Sequence, residues 1–212
     1  MTRNISKLLI LFSISLSAFY ASGHIGAKAH KKVYTSYAVD NVHSSVGFLV
    51  SHMVVSRTRG IFDDFTGLMK LGSEGKLHSL DGVVKVKSLS TRNEKRDRHL
   101  LSADFFNAAK YPEMVLTSTK IHQQASGKFK LEGDMKIRDQ TRPVSFSGEF
   151  REPIVDPWGN KRAGLTLEGT INRMDYGMTW SKLMDAGGLV VGEDVIITLE
   201  LEVIEKKKEP AK

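Results

Sequence analysis

Residues 40–52 read DNVHSSVGFLVSH, and from Val46 onward the side chains alternate between two classes. Successive side chains of a β-strand point to opposite faces, so this period of two predicts a strand with its larger apolar groups on one buried face. One strand cannot bury such a face alone, so the stretch must pack against other strands. The two parities are Val46, Phe48, Val50 and His52 on one side and Gly47, Leu49 and Ser51 on the other.

The same alternation returns along most of the chain. It is clearest in residues 128–137 (KFKLEGDMKI) and 193–205 (EDVIITLELEVIE), where apolar and mostly polar positions take turns. About eight such runs are separated by short turn signals such as DPWGN at 156–160. The polar parity is richly charged in almost every run, which favours one continuous outer surface. Because closure also removes unpaired strand edges, we predict an all-β, eight-stranded antiparallel barrel in preference to a sandwich.

One stretch breaks the alternation and predicts a short helical excursion at about residues 92–107. Thr91 is followed three residues later by Glu94, which is the spacing of a capping box. Charged and polar residues fill 92–99, and the apolar residues Leu100, Leu101, Phe105 and Phe106 follow. Tyr111 and Pro112 end the excursion.

Glycines on the inward parity leave two interpretations of the barrel interior open. They either leave space for an apolar cavity, toward the upper end of the roughly 300 to 1,000 Å³ of ligand pockets, or relieve bends around a solid core. The residues alone do not decide between a hollow and a filled interior. These glycines are Gly67, Gly133, Gly148 and Gly169.

The N-terminus has the features of a secretory signal peptide. Arg3 and Lys7 precede an apolar run at 8–20, which is shorter than the roughly 20 residues of a membrane span. We predict a signal peptide at 1–29, cleaved after Gly23 or Ala29, with an uncleaved anchor as the alternative. The barrel domain is predicted at 30–204 and a disordered tail at 205–212. We expect the mature protein to be periplasmic or secreted.

Composition excludes several kinds of chemistry. The chain has no cysteine, and its seven histidines show no metal-binding spacing, so we predict neither a thiolate nor a metal site. The net charge of +7 is spread along the chain, and aromatic residues are not interleaved with the basic ones as a nucleic-acid platform requires. We expect no nucleic acid partner and no cofactor, and at most a transient contact with a membrane surface.

Several motifs, in order, resemble those of the YceI-like family over about residues 34–204. Members of that family are similar to lipocalins: an eight-stranded antiparallel barrel takes up a polyisoprenoid or another long-tailed amphiphile, and many members are exported to the bacterial periplasm. Leu49 departs from the pattern, in which a small polar residue is frequent. The motifs are DxxHSxVxF at 40–48, RTRGIFDDFTG at 57–67, NEKRDRHLLSADFF at 93–106, YP at 111–112, DQTRPV at 139–144, DPWGNKRAG at 156–164, INRMDYGM at 171–178 and GGLVVGEDVIITLELE at 187–202.

The resemblance implies a carrier of a long-chain isoprenoid, such as a polyprenyl chain, a quinone or a polyprenyl phosphate, with no catalytic residue. Another long-tailed amphiphile, such as a fatty acid or fatty amide, is the alternative ligand. A homodimer is compatible with this role. We predict the following ligand-binding residues: Val46, Phe48, Val50, His52, Phe65, Met69, Val84, Val86, Met114, Leu116, Leu131, Met135, Ile137, Val144, Phe146, Leu165, Leu167, Ile171, Trp180, Val195, Ile197 and Leu199.

Two other functions are weighed against the carrier. An enzyme acting on an amphiphile would use polar groups at the barrel mouth, with His52, Arg173 and Asp175 as candidates, although no paired carboxylates or activated nucleophile accompany them. An interaction module would dock through the irregular loop at 175–192, in which Trp180 is either a lid over the cavity or part of a contact surface.

Overall fold

Eleven β-strands and one α-helix occupy the residues that the computed structural model describes, 33–185 and 187–207. Short 3₁₀ turns lie at Asn41–His43, Val86–Ser88 and Arg173–Tyr176. In chain order the elements are β1 (Tyr34–Val39), β2 (Ser45–His52), β3 (Ser56–Phe62), β4 (Phe65–Gly72), β5 (Leu77–Lys85), β6 (Leu89–Ser90), α1 (Glu94–Leu101), β7 (Glu113–Gln123), β8 (Lys128–Ile137), β9 (Gln140–Val155), β10 (Lys161–Asn172) and β11 (Val191–Glu205).

The eleven strands make up an eight-stranded barrel, because β1 and β2, β3 and β4, and β5 and β6 are each arranged end to end and together occupy one position in the sheet. β1 and β2 lie along the same edge of β11, where Val39 opposes Val203 and Val46 opposes Leu199. β3 and β4 run antiparallel to them, and β5 and β6 come next. β7 to β11 follow in chain order, and the pairing of β1 with β11 closes the sheet. The predicted eight-stranded antiparallel, lipocalin-like barrel with one helical excursion is confirmed.

The break between β1 and β2 bends the chain without detaching it from β11. Asp40 Oδ1 accepts a hydrogen bond from the N–H of Val42 at 3.1 Å and so caps the 3₁₀ turn. Ser44 Oγ donates to the carbonyl oxygen of Glu202 at 3.2 Å and accepts from its N–H at 2.9 Å. Two polar side chains therefore satisfy backbone groups that the bend would leave without partners.

α1 lies within the predicted excursion of 92–107, but its N-cap differs from the predicted one. Asn93 is the N-cap, and its Oδ1 accepts the N–H of Arg96 at 3.0 Å. Thr91 is only 5% exposed and donates to Asp97 Oδ1 through both its N–H and its hydroxyl. The capping box predicted from Thr91 and Glu94 is wrong, because the amide of Asn93 lies nearer to the free N–H groups of the first turn.

The lower half of the barrel, which holds the turns at 124–127 and 156–160, is filled by its own side chains. Gly148 makes room for its neighbours here, because a Cβ at this position would lie 2.1 Å from the carbonyl oxygen of Thr166. Nearer the other end, a Cβ at Gly169, which opposes Ile197, would lie 2.7 Å from Cδ1 of Phe146. The solid-core interpretation therefore describes the lower half. The side chains packed in it include Phe129, Leu131, Phe146, Phe150, Leu165, Leu167 and Val203.

The structure also bears on the predicted domain boundaries. β11 continues through Glu205, one residue beyond the predicted barrel domain, and Tyr37 opposes Glu205 across the β1–β11 pair. The predicted signal peptide at 1–29 and the last residues of the predicted tail, 208–212, lie outside the described residues. Within 33–185 and 187–207, no helix is both long and apolar enough to cross a bilayer.

Candidate functional site

An apolar cavity of about 160 Å³ lies in the upper half of the barrel, which holds α1 and the β2–β3 turn at 53–55. Residues of β1 to β5, β7, β8, β10 and β11, together with residues of the helical region and of the turn after β10, form its wall. Arg173 and Asp81 are the ionisable residues in that wall, and the Asp81 carboxylate accepts a hydrogen bond from the N–H of Ser118 at 3.0 Å. The cavity therefore presents a surface suited to hydrocarbon, because the rest of its wall is almost entirely apolar.

The cavity is smaller than the sequence led us to expect. The hollow interpretation predicted a volume toward the upper end of the roughly 300 to 1,000 Å³ of ligand pockets, and the open volume is about 160 Å³. Phe48, Phe106 and Met114 line the cavity and are only partly buried. Methionine is unbranched and adaptable, and side chains at a free surface change rotamer readily. A long chain fits if such side chains move.

The predicted ligand-binding residues divide between the cavity wall and other positions. His52 ends β2 opposite Ser56 and is half-buried outside the wall. Buried or half-buried elsewhere in the protein are Met69, Val86, Leu131, Val144, Phe146, Leu165 and Leu167. The structure brings the following together in the cavity wall: Val46, Phe48, Val50, Phe65, Val84, Met114, Leu116, Met135, Ile137, Ile171, Val195, Ile197 and Leu199.

Five wall residues come from outside the regular strands and were missed by the strand pattern. Leu100, at the end of α1, and the following Phe105 and Phe106 line the cavity, as do Arg173 and Met178. Alternation along strands cannot identify them. The apolar residues that follow the charges at 92–99 were the available signal, because such a run indicates a segment packed against the barrel and not one fully exposed to water.

Trp180 packs over the same end of the barrel. Its ring makes an edge-to-face contact with His99 at 5.1 Å between centroids, and it lies 5.5 Å from the ring of Phe105. His99 in turn contacts Phe105 edge to face at 5.1 Å and its Nε2 lies 2.9 Å from Asp104 Oδ2. Trp180 is half-buried and covers a residue of the cavity wall, which is the position expected of a lid.

Arg173 ties the turn at Arg173–Tyr176 to the start of β11. The side chain is 3% exposed, its Nε donates to the carbonyl oxygen of Gly192 at 2.8 Å, and its Nη1 donates to that of Met178. Burial lowers the pKa of Arg173, and the charge of Glu193 acts in the opposite direction. Asp175, the other candidate on this turn, has an exposed side chain. The bonds of Arg173 to backbone carbonyls indicate a positioning role in the fold.

A second polar cluster lies on the outer surface, where the bend after β1 meets β10. Arg162 binds three carboxylates: Asp156 Oδ2 at 2.7 Å, Asp40 Oδ2 at 2.8 Å and Glu202 Oε1. The hydrogen bond from His43, supported by Arg162, lowers the pKa of Asp40 to about 2. Burial raises the pKa of Asp156, but the bonds from Arg162 and from the 158–160 turn outweigh it and lower the pKa to about 2.

This cluster also has the arrangement of a metal site. Ligand atoms of Asp40, His43 and Glu202 lie within 4.8 Å of one another. The guanidinium of Arg162, however, already lies between Asp40 and Glu202 and supplies the positive charge that the carboxylates require. The cluster therefore joins three segments of the barrel, and its geometry is explained without an ion.

The basic cluster at 92–99 is used within the helix region. Arg96 donates from Nε to the hydroxyl of Thr91 and from Nη2 to its carbonyl, each at 2.7 Å. Arg98 lies 3.7 Å from Glu94, one helical turn earlier. These contacts match a charged helix surface with internal pairs, the commoner interpretation of such a pattern.

Comparison with known proteins places these features in context. Residues 37–203 match the family model described as the YceI-like domain. The chain is 31% identical over 182 residues to the UPF0312 protein plu2095 of Photorhabdus laumondii, which covers 84% of this chain and 92% of the relative. Among solved structures it is similar to the YCEI protein of Campylobacter jejuni, with 27% identity, a TM-score of 0.65, and coverage of 74% of this chain and 90% of the other. It shares its fold with a polyisoprenoid binding domain from Saccharophagus degradans, with 13% identity, a TM-score of 0.60, and coverage of 80% and 98%.

Proposed function

Because the chain belongs to the YceI-like domain family, we propose that it is a lipid-binding protein that holds the long tail of an amphiphile in the upper cavity of its barrel. The observation that carries this proposal is the cavity wall: it is formed by inward aliphatic, methionine and phenylalanine side chains, and its one buried cation, Arg173, is bonded to backbone carbonyls. Such a wall discriminates by size and apolar character, because it offers few polar groups to a ligand.

Tail burial supplies the driving force. Each CH₂ removed from water contributes roughly 0.8 kcal/mol, and binding must overcome several kcal/mol of lost ligand freedom. Burial of about ten carbons offsets such a cost. The open volume accommodates a tail of that length only if side chains of the cavity wall move. Phe48, Phe106 and Met114, which are partly buried, are the side chains we expect to move.

A long-chain isoprenoid is our proposed ligand, of the polyprenyl, quinone or polyprenyl phosphate type. The support is the shared fold with a domain that is itself named for polyisoprenoid binding. Fatty acids and fatty amides are the competing ligands, since they too present a long apolar tail to this wall. The predicted residues in the cavity wall are the proposed contacts, and Trp180 is the proposed lid.

We propose that the protein is exported and works in the periplasm or outside the cell. The support is the sequence at 1–29, with its basic start and its apolar run of residues 8–20. The barrel is a binding-type fold, and we assign no catalytic step to it. A homodimer is compatible with this role.

The test is recovery and uptake of a tail. Protein purified without detergent is examined by native mass spectrometry and by solvent extraction, and is then incubated with prenyl alcohols and fatty acids of matched length. The proposal expects a bound lipid mass or saturable uptake, with prenyl chains preferred. Trp180→Ala should accelerate release of the tail several-fold, whereas Trp158→Ala, at the far end of the barrel, should not. A barrel that is repeatedly recovered empty and takes up neither class of tail contradicts the proposal.

A further inference from the structure

The turn between β2 and β3 carries three consecutive apolar side chains in water. Met53 is 42% exposed, Val54 is 75% exposed and Val55 is 82% exposed. A turn of this kind is normally polar, and isolated surface apolar residues need no explanation, but three in a row at a protruding tip do. Folding of the barrel therefore does not explain why these apolar side chains are exposed.

The backbone of this turn makes the choice of residues more unusual. Met53 has a φ of 51° and Val54 a φ of 61°, and the N–H of Val55 donates to the carbonyl of His52 at 3.2 Å. Positive φ at both central positions is the geometry of a type I′ turn, which favours Asn-Gly. A β-branched valine there is strained, at a cost of about 1 to 2 kcal/mol. Strain kept at an exposed site is a reason to look for a function.

The tip lies at the rim of the cavity. Val50, three residues before it on β2, lines the cavity wall, and Met53 N–H donates to the carbonyl of Val190 at 2.9 Å, next to wall residue Val191. The neighbouring loop adds Leu183, which is 74% exposed and bridges to Leu189. We call Met53, Val54, Val55 and Leu183 the tip surface.

The chain around the tip is basic. Residues 45–62, which span β2, the turn and β3, contain no aspartate or glutamate. Arg57 and Arg59 are exposed on β3, and neither lies within 4.0 Å of a carboxylate oxygen among residues 33–185 and 187–207. Of the nearby carboxylates, Asp185 lies in the loop before β11, and Glu193 and Asp194 lie near the start of β11. An apolar tip beside unpaired guanidinium groups suits a membrane surface, in which anionic headgroups cover an apolar interior.

We propose that the tip surface docks the barrel onto a bilayer that contains anionic lipids, so that a tail passes between membrane and cavity at the rim. This inference rests on the proposed lipid-binding function, because the membrane is the source of such a tail. A second copy of the chain is a poorer occupant: a stable interface uses roughly 20 to 30 residues a side, and the tip surface has four side chains. The tip inserts its apolar groups, and Arg57 and Arg59 lie against the headgroups.

The decisive variant combines Met53→Asn with Val54→Gly, which installs the residues that the turn geometry prefers. Because the strain is relieved, this variant is expected to be at least as stable as the wild type in urea. Flotation with phosphatidylcholine vesicles, with and without phosphatidylglycerol, measures binding. We expect the wild type to bind the anionic vesicles and the double variant to bind them at least about tenfold less. Trp158→Ser, an exposed apolar residue at the opposite end, is the matched control and should bind as the wild type does.

Two further measurements separate this inference from the proposed function. Uptake of a fluorescent prenyl or acyl probe from dilute solution should be unchanged in the double variant, while its transfer from vesicles should slow. Arg57→Gln combined with Arg59→Gln should weaken binding to anionic vesicles only. If the wild type takes up the probe but floats with no vesicle, or if the double variant floats as well as the wild type, the docking inference is overturned and the lipid-binding function stands. If the double variant changes the oligomeric state and leaves flotation unaltered, the tip is an interface between copies and the inference is overturned as well.

Discussion

The ring of Phe48 lies directly over Gly60 on the neighbouring strand. A Cβ built at Gly60 would be 2.2 Å from both Cε1 and Cζ of that ring, which no side chain can tolerate. Phe48 lines the cavity, so Gly60 determines how far this ring withdraws from the space where we place the ligand. The two residues oppose each other in the β2–β3 pair.

Gly60→Ala should force the Phe48 ring into the cavity. We expect a loss of about 1 to 3 kcal/mol in the free energy of unfolding, measured in urea, together with weaker uptake of a tail. Adding Phe48→Leu should restore part of both, since it removes the clashing ring atoms. Gly164→Ala is the control, because its Cβ would have nothing nearer than Arg151 Cβ at 3.7 Å. Equal effects of the two alanines would contradict the explanation.

The two halves of the barrel should respond differently to the same enlargement. Val84→Phe adds a ring beside the open cavity, so we expect it to block tail uptake at a cost of less than about 1 kcal/mol in the free energy of unfolding. Val203→Phe adds the same ring where the side chain is fully buried in the packed half, and should cost about 1 to 3 kcal/mol or more. Urea unfolding and a probe-uptake assay measure both effects. Similar destabilisation by the two substitutions would mean that the upper half is not open.

Arg173 should contribute to stability through the carbonyls that it satisfies. Arg173→Met keeps much of the side-chain volume but leaves the carbonyls of Met178 and Gly192 without their donors. We expect a loss of about 1 to 3 kcal/mol in the free energy of unfolding, and a change in the fluorescence of Trp180 recorded in a Trp158→Phe background. Arg142→Met is the control, because Arg142 is exposed and donates to the carbonyl of Asp175 on the same turn. An Arg173→Met variant that changes neither the stability nor the fluorescence would show that the turn at Arg173–Tyr176 does not depend on these bonds.

Arg162 should make the stability of the barrel depend on pH in the acid range. The pKa of Asp40 and that of Asp156 are lowered from 3.8 to about 2, so the stabilisation that their ionised forms provide is present above pH 4 and is lost as pH falls from 4 to 2. Arg162→Gln should be less stable than the wild type at neutral pH, and the difference should shrink below pH 4. Urea unfolding across this range measures it.

A matched control for the pH prediction is Lys161→Gln, which breaks the neighbouring pair between exposed Lys161 and half-buried Glu205 at the barrel surface. Exposed ion pairs contribute little, so its unfolding curve should follow that of the wild type at every pH. A gap between wild type and Arg162→Gln that stays constant from pH 7 to pH 2 would contradict the linkage to Asp40 and Asp156.

The helical region marks a limit of prediction from local pattern. Its presence and approximate span were predictable because alternation stops at 92 and charges crowd together. Its N-cap was not, since Thr91 and Asn93 both have side chains that cap helices, and the choice depends on Asp97, which binds Thr91. The same limit applies to Phe105 and Phe106, whose role as cavity wall depends on where the chain crosses the barrel end.

By itself, the sequence determined the alternation, the number of strands and hence a closed barrel, because the period of two assigns each strand residue to one face and long strands need partners at both edges. Only the tertiary structure decided which inward residues line the cavity and which fill the interior of the barrel. Leu165 and Ile171 share a parity on β10, yet only Ile171 reaches the cavity, because Phe146 and its neighbours occupy the lower half. Packing between strands that are distant in sequence determines which of the two residues lines the cavity, and the alternation within one strand carries no information about it.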